Sequence, residues 1–194
     1  MNKVGSIEVI TGPMFAGKTE ELIRRVKRLE YAHKNVVLFK PQIDDRYEKS
    51  YIVSHNQKKA LCVSLKTSQE MLNYVNEETD AVVIDEFQFL DEDAVDIAVY
   101  FKRKGKRVIV SGLDRDFRGE PFNNMPNIFA YADTILKLTA ICVCCGNDAT
   151  CTQRIINGRP ANYNDPQILV GASETYEARC AACHTVVGKK YKYE

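Results

Sequence analysis

Hydrophobic and polar positions follow two periods up to about Leu138. Ile7-Glu8-Val9-Ile10-Thr11 is a short β-rich run that stops at Gly12. From Thr19 to Ala32 the apolar residues Leu22, Ile23, Val26 and Leu29 fall at helical spacing. Val36-Val37-Leu38-Phe39 predicts a strand, followed by a polar loop from Pro41 to Arg46. Ser68 to Asn76 predicts a helix that begins at a Ser/Thr cap. Ala81-Val82-Val83-Ile84 is continuously apolar, as in a strand covered on both faces of a parallel sheet. Asp91 to Arg103 predicts a helix, Arg107 to Ser111 another buried strand, and Thr134 to Leu138 a last one. Strands alternating with helices imply crossover units and an open parallel sheet.

Beyond Leu138 the texture changes to cysteine pairs, Gly, Asn and short β-like pieces. This sets an expected boundary near Thr139, with one domain over 1–138 and a second over 139–194. No internal repeat and no low-complexity tract interrupts either part.

At 194 residues, 45% hydrophobic and 27% charged, the chain has the composition of an ordinary globular protein with one main core and a small satellite. A formal net charge of +1 argues against nucleic acid or an anionic membrane as the main partner. Arg24-Arg25-Val26-Lys27-Arg28 and Lys102 to Arg107 are local basic stretches, read as solvated helix faces. No apolar signal region follows Met1, and no run approaches the roughly 18 apolar residues of a membrane span, so a cytoplasmic enzyme is expected. Seven cysteines, six of them in the last third, do not resemble a secreted disulfide framework; they point to a metal in a reducing compartment.

Gly12-Pro13-Met14-Phe15-Ala16-Gly17-Lys18-Thr19 fits G-x-x-x-x-G-K-[ST]. The glycines let backbone N–H groups converge on phosphate oxygens at a helix N-terminus. Lys18 reaches the β- and γ-phosphates, and the Thr19 hydroxyl suits Mg²⁺. A β-run before the loop and an amphipathic helix after it supply the confirming context. Asp85 and Glu86 follow a buried strand, so they emerge at its carboxyl end, where open α/β sheets bind ligands. Asp85 suits a Mg²⁺ ligand acting through water, and Glu86 suits a base toward an attacking hydroxyl. The fold class is therefore α/β: a RecA-like P-loop parallel sheet flanked by helices, with a small zinc-binding domain behind it.

Cys142-x-x-Cys145 and Cys180-x-x-Cys183 are two ligand pairs of the kind that give tetrahedral Zn²⁺ four soft ligands. Cys144 and His184 are local alternatives to Cys145 and Cys183. A closed four-ligand site is scaffold rather than catalyst, and it would pin both ends of the excursion from Gly146 to Arg179. Cys62 and Cys151 read as ordinary buried or half-buried residues.

With these elements in place, the sequence resembles the type II thymidine kinase family over essentially its whole length. The marks are the loop at 12–19, Asp44-Asp45-Arg46-Tyr47, Asp85-Glu86-Phe87-Gln88-Phe89, Gly112-Leu113-Asp114-Arg115-Asp116-Phe117-Arg118-Gly119-Glu120-Pro121-Phe122, Leu138-Thr139-Ala140-Ile141-Cys142 and Val170-Gly171-Ala172-Ser173-Glu174-Thr175-Tyr176. The resemblance implies transfer of the ATP γ-phosphate to the 5′-hydroxyl of thymidine, with Glu86 as base and Lys18 stabilising the γ-phosphate. On the nucleotide side it implies the whole 12–19 loop with Asp44, Arg46, Asp85 and Gln88. On the acceptor side it implies a cavity lined by Met14, Phe89, Leu113, Phe117, Phe122, Thr152 and Tyr176. A lasso from roughly Ile156 to Tyr176 would read the thymine edge with backbone groups at Gln167, Ile168, Leu169, Val170 and Gly171. At Gln167 and Leu169 the sequence departs from animal enzymes, which tend to have valines. The resemblance further implies feedback inhibition by thymidine triphosphate and a homotetramer, and leaves deoxyuridine tolerance open.

Two other classes compete. A nucleic-acid-dependent ATPase shares an acidic box like Asp85-Glu86-Phe87-Gln88, but a helicase needs a second motor lobe for which no residues remain. A zinc-stabilised nucleotide-binding regulator needs no Asp85-Glu86 pair.

Overall fold

The computed structural model describes residues 4–42, 52–53, 59–60, 62–168 and 174–193. Six parallel strands build the central sheet: β1 (Ser6–Thr11), β2 (Val36–Pro41), β5 (Cys62–Leu65), β6 (Ala81–Ile84), β7 (Arg107–Gly112) and β8 (Thr134–Lys137). Their order is β5-β2-β6-β7-β1-β8. Strand β7 thus separates β1, which leads into the phosphate loop, from β6, which carries the acids. β3 (Ile52–Val53) and β4 (Lys59–Ala60) pair antiparallel outside this sheet.

The continuous apolar strands are buried on both faces, as their pattern requires. Val82 and Ile84 point into one layer with Ala94, Ile97 and Phe101 of α2 (Asp93–Arg103) and with Met125 and Ile128 of α3 (Met125–Tyr131). Ala81 and Val83 point into the opposite layer, against Leu22, Val26 and Leu29 of α1 (Lys18–Tyr31). Those three leucine and valine side chains of α1 are buried, each contributing about 1.5–3 kcal/mol relative to exposure. The basic stretch on α1 is partly paired. Arg24 and Arg25 lie 2.6 and 2.8 Å from Glu21, and Arg25 reaches Glu8 of β1 at 2.7 Å.

Four elements differ from the sequence expectation. The helix expected over Ser68 to Asn76 is a 3-10 turn over Ser68–Asn73 with no side-chain cap from Thr67. Its first N–H, that of Ser68, is held instead by the distant Asp91 carboxylate at 2.8 Å. α2 begins at Asp93 rather than Asp91. Strand β5 and helix α3 were not expected. β5 is a four-residue edge strand, and α3 is a seven-residue helix with a proline in its first turn. Both are too short for a periodic signal.

After β8 the chain forms two small antiparallel sheets: β9 (Ala140–Ile141) with β10 (Asp148–Ala149), and β12 (Arg159–Pro160), β11 (Cys151–Ile156) and β13 (Glu174–Arg179) in the order β12-β11-β13. Its apolar cluster is Ala140, Cys142, Ala149 and Ala178, none larger than cysteine. So small a core leaves little burial energy, and a second source of cohesion is needed. Among the described residues no helix is long and apolar enough to cross a membrane.

Candidate active site

The phosphate loop is built on special backbone angles. Gly12 has φ of 137°, and a Cβ there would lie 2.3 Å from the Leu138 carbonyl oxygen, so both conformation and space demand glycine. Gly17 has φ of 81° just ahead of α1. Lys18 opens that helix and folds back, its Nζ donating to the Pro13 carbonyl at 2.7 Å. Burial lowers the Lys18 pKa, while the charges of Glu86, Asp85 and Asp114 oppose that shift. Thr19 is exposed on the first turn.

Across β7, the chain leaves β6 at Asp85. Burial, reinforced by the charge of Glu86, pushes the Asp85 carboxyl up to about 6. The Glu86 N–H donates to Asp85 Oδ1 at 3.0 Å. Glu86 itself sits at φ 53°, ψ 40°, in the left-handed region, which costs a non-glycine residue about 1–3 kcal/mol. That turn brings its carboxylate around toward Lys18. Gln88 is fully buried, and its amide is committed on both sides. Nε2 donates to Glu86 Oε2 at 2.5 Å, and Oε1 accepts the Leu113 N–H at 3.1 Å. Gln88, expected on the nucleotide side, thus bridges the Glu86 carboxylate and the Leu113 N–H.

One cavity of about 180 Å³ lies where these parts meet, lined by Met14, Lys18, Glu86, Phe89, Leu113, Arg115, Phe117, Thr152 and Tyr176. Six of the seven residues expected around the acceptor line it. The seventh, Phe122, is 4% exposed and packs edge-on against Phe89 at 5.5 Å, one layer back. The Met14 N–H donates to Thr152 Oγ1 at 3.0 Å, tying the phosphate loop to β11. Two larger clefts, of about 790 and 510 Å³, lie along α2 and include neither Lys18 nor Glu86.

Arg115 and Arg154 were not anticipated from the sequence. Arg115 lines the cavity and donates to the Thr150 carbonyl at 2.5 Å. Between two aspartates it reads as a loop ion pair, and it does lie 3.4 Å from Asp114. Arg154 is buried in β11, where a strand pattern carries no cue to a buried cation. Of the expected lasso contacts, Gln167 donates through Nε2 to Asp116 Oδ2 at 3.1 Å and Ile168 is exposed. Asp44, Arg46, Leu169, Val170 and Gly171 lie outside the described residues.

The Sγ atoms of Cys142, Cys145, Cys180 and Cys183 lie within 4.8 Å of one another. Tetrahedral zinc with bonds near 2.3 Å wants sulfurs about 3.8 Å apart, and Cys145 and Cys180 stand at 3.6 Å. Tight turns deliver each pair, with Gly146 N–H donating to the Cys142 carbonyl and Cys183 N–H to the Cys180 carbonyl. The donor set fits a structural zinc. His184 is engaged elsewhere, its Nε2 2.9 Å from the Phe117 carbonyl oxygen, and Cys144 is exposed outside the cluster.

A family model for thymidine kinase matches residues 5–184, a span that holds the phosphate loop, the acidic strand end, the cavity and the four cysteines alike. By a match of that extent, the chain belongs to the thymidine kinase family.

Proposed function

We propose that Glu86 is the general base of the reaction that family membership assigns to this chain, transfer of the ATP γ-phosphoryl group to thymidine to give thymidine monophosphate. Glu86 takes the proton from the 5′-hydroxyl as that oxygen bonds to the γ-phosphorus. The bond from phosphorus to the bridging oxygen breaks, and ADP leaves with those electrons. Lys18 and the loop N–H groups hold the transferring phosphoryl group, so the chemistry is positioning plus charge neutralisation.

Mg²⁺, which accompanies ATP in such reactions, supplies further neutralisation of the β- and γ-phosphoryl oxygens. Thr19 and Asp85 are the residues that would hold it. The fit rests on Asp85, a buried carboxyl at the end of β6 pushed up to about 6, which a bound divalent cation would keep ionised.

The observation that carries this reading is the single cavity in which Lys18, Glu86 and the aromatic wall of Phe89, Phe117 and Tyr176 meet. It supports a site in which 1–138 grips the donor and supplies most of the acceptor wall, with Thr152 and Tyr176 of 139–194 completing it. Asp44, Arg46 and the backbone of 167–171 complete the proposed binding set. Thymidine-dependent ADP release is the assay. Glu86→Gln should lower turnover by about a hundredfold or more while ATP affinity stays near wild type; near-normal turnover sinks the assignment. Stimulation of ATP hydrolysis by DNA or RNA, without thymidine, would instead favour the ATPase reading.

Feedback inhibition by thymidine triphosphate, a homotetramer and a cytoplasmic location belong to the same proposal. Exposed Ile135 on edge strand β8, with exposed Ile141 and Val143 nearby in sequence, supports an assembly surface.

A further inference from the structure

Arg154 is 3% exposed, and its guanidinium touches three separate pieces of chain. It lies over the Phe117 ring, 4.0 Å from the centroid. Its Nε donates to the Tyr176 hydroxyl at 3.1 Å. Its Nη1 and Nη2 donate to the carbonyls of Pro166 and Gln167, each at 2.6 Å. Glu174 Oε2 lies 3.6 Å from Nε and also accepts the Tyr176 hydroxyl at 3.1 Å. Phe117 and Tyr176 are two walls of the acceptor cavity, and Thr152, two residues before Arg154 on the same face of β11, is a third.

The backbone of β11 and β13 needs none of these bonds, since the ladder already runs from Cys151↔Arg179 to Ile156↔Glu174. Packing alone would favour an apolar residue, because replacing a buried ion pair by hydrophobic side chains is often neutral or stabilising. What arginine adds is a rigid fork whose donors are fixed in direction. Here the fork sets the Phe117 ring, the Tyr176 ring and the 166–167 backbone at fixed positions relative to one another.

We infer that Arg154 is a positioning residue for the acceptor nucleoside: it holds two walls of the cavity and the start of the loop beside it in register for a planar pyrimidine base. It acts through Phe117 and Tyr176 and does not line the cavity itself. This inference rests on the reading of that cavity as the acceptor site.

The test compares Arg154→Lys and Arg154→Met with the parent protein, each checked first for bound zinc and a cooperative melt. A misplaced wall raises the KM for thymidine about ten- to a hundredfold while the KM for ATP stays within about twofold. Lysine keeps the charge but lacks the fork, so it should not restore the thymidine KM. The preference for thymidine over deoxyuridine should narrow in both variants. A purely structural role gives a smaller active fraction, seen as a fall in kcat with both KM values unchanged; that result, or a parent-like thymidine KM in either folded variant, overturns the inference. Glu86→Gln run alongside separates the two ideas. If it is inactive while the Arg154 variants keep the parental thymidine KM, the site reading stands and the role of Arg154 falls.

Discussion

Gln88 Nε2 stands 2.5 Å from Glu86 Oε2, so the proposed base is held by a fully buried amide whose other end is fixed to the Leu113 N–H. Glu86 is in a left-handed conformation that it would not keep unaided. Gln88→Ala frees its carboxylate and strands the Leu113 N–H, a loss of about 1–3 kcal/mol if no water replaces the amide. The expected kinetic result is a kcat lower by about ten- to a hundredfold with the ATP KM little changed. Steady-state kinetics in both substrates checks it, and an unaltered kcat would show that Glu86 needs no brace.

Gly112 is the space in which that brace fits. A Cβ there would lie 2.6 Å from Gln88 Oε1 and 2.9 Å from Met125 Sδ. Gly112→Ala should destabilise the protein by about 1–3 kcal/mol and lower kcat by displacing Gln88. Urea melts and turnover must fall together; a loss of stability with full turnover separates packing from positioning and defeats this prediction.

Asp85 gives a pH dependence with a definite sign. Burial pushes its carboxyl up to about 6, above the usual value of about 3.9 for a free aspartate. Between those values the folded state binds more protons than the unfolded one, so stability falls as pH rises through that window. Without nucleotide or divalent cation, Asp85→Asn removes the penalty. It should stabilise the protein by about 1–3 kcal/mol at pH 7.5 and by little at pH 4. Paired denaturant melts at the two pH values measure this, and an equal effect at both refutes it.

Zinc should be present at about one per chain, and its removal should act on the acceptor side first. The four-residue cluster of Ala140, Cys142, Ala149 and Ala178 is too small to hold β9–β13 together alone. Chelation under mildly denaturing conditions is expected to abolish thymidine binding while ATP binding persists. Metal analysis well below one zinc per chain, or thymidine binding that survives chelation, contradicts the prediction.

What was legible in the sequence was local. The 12–19 loop, the apolar run ending in Asp85-Glu86 and the two cysteine pairs carry their meaning in spacing, because each is a turn or strand end formed by adjacent residues. The aromatic residues of the cavity came with the family resemblance, and their convergence in one cavity is a tertiary fact. Arg115 and Arg154 escaped for the same reason, as did the bridge that Gln88, named on the nucleotide side, makes from Glu86 to Leu113. Each does its work through a partner far along the chain: Leu113 for Gln88, Thr150 for Arg115, and Phe117 and Gln167 for Arg154. The Ser68 segment is a 3-10 turn rather than the expected helix, and its first N–H is capped by Asp91, 23 residues away, a partner that no local rule foresees. His184 could not be ranked against Cys183 by spacing; its bond to the Phe117 carbonyl sets it apart from the cluster.

The hydrogen bond from Met14 N–H to Thr152 Oγ1 has a thermodynamic consequence. Its donor belongs to the 12–19 loop, the proposed phosphate cradle, and its acceptor to β11, a proposed wall of the nucleoside site. If those roles hold, a change in the bond on binding one ligand would be felt by the other, and linkage would make the effect equal in both directions. On the proposed site reading, a ligand that changes this bond changes the affinity for the other ligand as well, and Thr152→Val, which removes the acceptor oxygen, should weaken that coupling.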